Sequence, residues 1–119
     1  MKRDPIKTAR NKADKLFKQA CVQKYGSSCE VCGLPASQVH HFFPKGMSSK
    51  LRYDLDNGVV ICAGCHLKHH MGNPVIHSTI IDNRGRKWYN KLRLKRELIK
   101  TNLTWYKENI KRLESYISN

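Results

Sequence analysis

Two C-x-x-C pairs, Cys29 with Cys32 and Cys62 with Cys65, bracket most of a stretch that holds five of the six histidines, and they limit what this chain can fold around. In a reducing compartment such pairs point to metal or redox chemistry rather than to structural disulfides. Thioredoxin-like redox is disfavoured, because neither pair sits in a βαβ pattern. Four thiolates from two such knuckles make a closed tetrahedral zinc site, and closing it contributes directly to folding. That contribution matters for 119 residues, since a single domain of this size buries only about two thirds of its unfolded surface.

The charge is as one-sided as the cysteine spacing is regular. Lys and Arg number 23 against 9 Asp and Glu, a net charge of +14, which exceeds what solubility requires and favours a polyanion such as nucleic acid. The amino-terminal residues MKRDPIKTARNKADK have no apolar h-region. No segment approaches the roughly 18 apolar residues of a membrane span. A cytoplasmic protein with no membrane partner is therefore expected.

Asp4-Pro5 offers an N-cap with proline in the first turn, and Ala9, Ala13, Leu16, Phe17, Ala20 and Cys21 recur at helical spacing. A helix over 4–26 follows, with Cys21 as a small core residue. Its basic face (Lys7, Arg10, Lys12, Lys15, Lys18) suits either phosphates or solvent. Ser27 to Leu34 reads as a knuckle in which Gly33 lets the backbone turn so that amides point at thiolates. Gln38 to Phe43 and Val59 to Cys62 read as short strands, separated by a polar, basic loop. Cys65 then opens a short helix through about Met71. Gly72-Asn73-Pro74 breaks it, Val75 to Ile81 reads as an apolar, extended linker with an unremarkable His77, and helices fill 82–119. The chain is thus one α+β domain, 1–119, whose zinc-bound core spans 27–74.

Within the core, His40 and His41 are consecutive on a strand and face opposite ways. This suggests a division of labour: one imidazole joins a metal site while its neighbour takes a proton from water. On the next helix His66 and His70 share a face, so an H-x-x-x-H beside a strand histidine makes a three-nitrogen metal site with open positions.

With two knuckles, a His doublet, Asn57 and helix histidines in this order, the block resembles the HNH, or ββα-metal (His-Me finger), endonucleases. The resemblance implies His41 as general base, Asn57 as the brace of the loop that holds it, and His40 and His66 as ligands of a catalytic divalent ion. His70 is the third ligand by the same reasoning, with His69 the other choice. Many family members carry Asp at the position of His40. The bacteriocin DNase branch instead has a His-His doublet and an N-x8-H-x3-H tail, as here. An all-imidazole set suits softer ions, so Mg2+, Mn2+, Ni2+, Co2+ and Zn2+ all stay open beside the structural Zn2+ of the cysteines.

The same resemblance implies hydrolysis of DNA phosphodiesters to 5′-phosphate and 3′-hydroxyl ends, with the strand–helix unit meeting the minor groove. Lys45, Lys50, Arg52 and Lys68 are the candidate phosphate contacts. The source expected is a phage or mobile element acting in a bacterial cytoplasm on duplex DNA. The flanking helices are similar to those of the phage NinG, or Rap, recombination proteins, which implies branched DNA as an alternative substrate. A zinc module that binds DNA without cutting it is the alternative from another class. The helices between Trp88 and Ile117 are expected either to join two copies in a homodimer or to cover the chain's own core.

Overall fold

The computed structural model describes residues 4–119. The first helix, α1 (Pro5–Tyr25), starts where its sequence says it should: the Asp4 carboxylate accepts hydrogen bonds from the amides of Ile6 and Lys7. It stops at Gly26, whose φ of 88° is open to glycine. A knuckle containing Cys29 and Cys32 leads into β1 (Gln38–His41), which pairs antiparallel with β2 (Gly58–Ile61). Between the strands lie two 3₁₀ turns, Ser49–Leu51 and Leu55–Asn57. Helices α2 (Ala63–His70), α3 (Val75–Arg84), α4 (Arg86–Leu94) and α5 (Leu103–Ser118) follow. The architecture is α+β, a two-stranded sheet with an amino-terminal helix on one side and the later helices around it.

The segment expected to be an extended linker, Val75 to Ile81, is instead the body of α3. Its β-branched residues read as strand, but Ile76 and Ile80 lie one helical turn apart and both are buried in the core. Burial of that pair outweighs the local β preference. The Asn73 side-chain oxygen helps to start the helix by accepting from the Val75 amide at 3.0 Å.

Two apolar clusters form the interior. One joins α1 to α5, with Ala9, Ala13, Phe17 and Ala20 against Tyr106, Ile110 and Leu113. Alanines on α1 let the two helix backbones approach closely. The other lies under the sheet's opposite face and contains Cys29, Phe42, Val59, Ile61, Cys65, Ile76, Ile80 and Leu92. Leu92 of α4 and Tyr106, Ile110 and Leu113 of α5 are buried in the chain's own core, whereas Leu94 at the end of α4 is exposed, and the Trp88 indole N–H donates to the Asp56 carbonyl at 2.9 Å. Among the described residues no helix is long and apolar enough to cross a membrane.

Candidate active site and metal centres

The four cysteine sulfurs of the two knuckles lie within 4.8 Å of one another and are positioned to form a zinc site. Cys32 and Cys62 sulfurs are 3.6 Å apart, close to the edge of about 3.8 Å of a tetrahedron with Zn–S of about 2.3 Å. The Val31 amide donates to the Cys29 sulfur and the Cys65 amide to the Cys62 sulfur, each at 3.4 Å. Burial alone would raise the Cys29 thiol, but backbone hydrogen bonds from Cys32, Cys62 and Val31 together bring it down to about 6. Burial and its thiol neighbours push Cys65 up to about 12. Without a cation the four sulfurs cannot all ionise, and a bound Zn2+ removes that conflict. Cys21 stands apart, buried on α1 with its thiol pushed up to about 12 by burial.

His40 and His41 point to opposite faces of β1, as their adjacency requires. His41 turns toward α1 and stacks on Phe17, ring centroids 5.1 Å apart and 13° from parallel. Its Nε2 is 2.9 Å from the Arg52 carbonyl oxygen. A carbonyl only accepts, so Nε2 carries the proton and Nδ1 keeps its lone pair. Burial lowers the His41 pKa, and the cations of Lys45 and Arg52 add to that, against the opposing effect of the hydrogen bond His41 donates to the Arg52 carbonyl.

The loop that supplies this carbonyl is held by Asn57, which is fully buried. Its Oδ1 accepts from the Phe43 amide at 2.8 Å, and its Nδ2 donates to the carbonyls of Phe43 and Leu51 at 3.1 and 3.2 Å. Asn57 therefore ties the end of β1 to the 3₁₀ turn one residue before Arg52. Opposite His41 across the sheet is Gly58. A side chain there would run into the Cys21 sulfur and the Phe17 ring, so glycine is what lets Phe17 seat against the imidazole.

On the other face five imidazoles lie in a chain. His70 and His66 share a hydrogen bond between their Nε2 atoms at 3.0 Å, and the other nitrogen of His66 meets the Gln38 side-chain oxygen at 3.2 Å. The His66 ring is 5.3 Å from His40, which is 4.7 Å from His69, which stacks on His77 at 4.3 Å. The Nε2 pair of His66 and His70 suits a common ion, whose ligand nitrogens would be about 3.4 Å apart for metal–nitrogen bonds near 2.1 Å. His40 is buried, and its Nε2 has no hydrogen-bond partner. Burial, then the neighbouring imidazoles, bring its pKa down to about 3, which keeps it a neutral ligand. His40, His66 and His70 do not meet as one compact trio; the trio that meets within 4.8 Å is His40, His69 and His77.

The expected phosphate contacts divide. Lys45 lines a cleft of about 270 Å³ together with His41 and with Lys18 of α1. Lys50 is exposed beside Glu97 at 3.5 Å, and Lys68 is exposed on α2. The Arg52 guanidinium is turned away from solvent, 13% exposed, and grips the Asp14 carboxylate through Nε and Nη2 at 2.9 to 3.2 Å. Arg52 thus serves the site through its backbone. Two residues were invisible to sequence reasoning. His77 reaches the imidazole chain from α3, and Arg84 of the same helix donates to Glu30 at 2.6 Å and to the Gly58 carbonyl at 2.7 Å, locking knuckle to sheet. Only the helical phase of α3 would have revealed either.

A two-stranded sheet and a helix bearing histidines, closed by a cysteine cluster, make up the centre of the chain. Residues 29–72 match the HNH endonuclease family. The chain is also similar to part of a mitochondrial DNA mismatch repair protein mutS homolog from Sarcophyton glaucum, 42% identical over 52 residues. That alignment covers 40% of this chain and 5% of the length of that relative. No solved structure matches the chain.

Proposed function

We propose that this protein is a metal-dependent DNA endonuclease in which His41 is the general base. The observation that carries the proposal is the 2.9 Å contact of His41 Nε2 with the Arg52 carbonyl, which commits the proton to Nε2 and leaves Nδ1 to accept one from water. Asn57 fixes the loop and hence the carbonyl, so it acts as a positioning residue. As the water oxygen bonds to phosphorus, its proton passes to His41, and the bond from phosphorus to the 3′ oxygen breaks; that oxygen takes a proton from solvent water, giving 5′-phosphate and 3′-hydroxyl ends. His40 and His66, with His70 completing the set, would hold a divalent ion, and that ion would supply electrostatic stabilisation of the charge that develops on the phosphate. Lys18 and Lys45, which share the cleft with His41, attract and orient the phosphate backbone.

Duplex DNA is the proposed substrate, supported by the net charge of +14 and by the HNH match. The similar relative is by its name a DNA mismatch repair protein, in keeping with DNA as the polymer. His41→Ala is expected to slow plasmid nicking, with added Mn2+ or Mg2+, by about 100- to 10,000-fold without unfolding the protein. Full activity in that variant would overturn the general-base assignment. A panel of linear duplex, single strand, D-loop and four-way junction separates duplex cutting from cutting of branched DNA. Tight DNA binding with no cleavage by any metal would instead leave a binding module.

A further inference from the structure

We propose that His40, His69 and His77 form a three-imidazole site that shares His40, but neither His66 nor His70, with the ion site proposed above, and that takes a borderline-soft divalent ion such as Zn2+, Co2+ or Ni2+. Three elements deliver its ligands: β1, α2 and α3. One ligand nitrogen from each ring lies within 4.8 Å of the other two. A tetrahedral ion with bonds of about 2.1 Å needs about 3.4 Å, a gap that small side-chain rotations close. The Nε2 atoms of His40 and His77 are both buried and both without a hydrogen-bond partner, and His40 as a residue is only 8% exposed. Orphaned buried nitrogens are costly, and one ion on both would satisfy them together.

His69 and His77 stack at 4.3 Å and 21° from parallel, so their rings must tilt for both lone pairs to meet one ion, while neighbouring aromatic rings limit how far they move. His77 stacks on Phe42 at 4.4 Å and 21°, and Phe42 packs edge-on to Trp88 at 5.0 Å. His40 meets His69 edge-on at 65°, so their nitrogens converge from different directions. The ligand set contains no carboxylate, which favours ions that accept imidazole over Mg2+ or Ca2+. A cleft of about 240 Å³, lined by His69, Gly72, Asn73, Pro74 and His77, opens beside the site and gives a water or small anion a path to a fourth position. Because Nε2 of His40 has one lone pair, an ion here competes for it with an ion on His66 and His70.

The proposal concerns metal binding and is tested by it, independently of DNA cleavage. The protein, with one equivalent of Zn2+ on its cysteines, is titrated with Co2+ and followed by calorimetry and by visible absorption. Thiolate-to-cobalt charge-transfer bands report any exchange at the cysteines. One Co2+ should bind without those bands; His69→Ala and His77→Ala should weaken it at least about tenfold, and His66→Ala and His70→Ala by less than about twofold. His77→Phe keeps the ring stacked on Phe42 while removing both nitrogens, so the same loss in that variant excludes misfolding as the cause. Unchanged binding in His77→Phe overturns the proposal, as does the absence of Co2+ binding by the wild type. Loss confined to His66→Ala and His70→Ala would place the ion on α2 and also overturn it, while leaving the nuclease reading standing.

Discussion

In the proposed reaction His41 depends on an atom that no side-chain motif contains, the carbonyl oxygen of Arg52. The contact selects the tautomer, while burial and nearby cations hold the pKa below the ordinary value for histidine, about 6.5. The sign of the pH effect follows directly. A lowered pKa keeps Nδ1 unprotonated below pH 6.5, so cleavage should persist there and fall only as pH drops through the lowered value. A pH–rate profile whose acid limb is centred at or above about 6.5 would contradict this. Arg52 illustrates how residue type can mislead: its guanidinium is bound to Asp14, and Tyr53 donates to the same carboxylate at 2.7 Å. The basic side chain holds α1 against the loop while the backbone serves the imidazole.

Asn57 does for the β1–β2 connection what a cross-strand ladder would do if the loop were shorter. With Asn57→Ala, one amide and two carbonyls lose their partners in a buried position. The expected cost is about 3 kcal/mol, read as a lower urea midpoint at an unchanged slope. Cleavage should fall further than stability alone explains, because the Arg52 carbonyl would no longer be held. Helix α3 has an equally wide reach, since Arg84 joins Glu30, the Gly58 carbonyl and the faces of Tyr25 and Trp88. Its position against the sheet is therefore well determined, and His77 is carried to the imidazole chain with it.

Zinc bound on the cysteines should support one of the two apolar clusters and not the other. Cys29 and Cys65 belong to the cluster under the sheet, whereas the α1–α5 cluster contains neither. Removing zinc with a chelator should abolish hydrogen-exchange protection in the sheet and α2, with protection along α1 and α5 persisting. A chelated protein with sheet amides protected as before would show that the cysteines do not hold a structural ion. The charge of +14 makes its own prediction. With four or five phosphates neutralised, the logarithm of DNA affinity should fall with the logarithm of salt at a slope of about −4. A flat response would remove nucleic acid as the partner.

The zinc knuckles, the strand–loop–strand–helix order, the opposed directions of His40 and His41 and the α1 helix were all legible in the chain. Each rests on local spacing: two residues between ligands, a period of two in a strand, three to four in a helix. His77, Arg84 and the Arg52 carbonyl were not legible. Their roles depend on which face of α3 meets the sheet and on how a buried asparagine folds a loop back onto a strand. Packing decides such contacts between residues distant in the chain, and no local period records them.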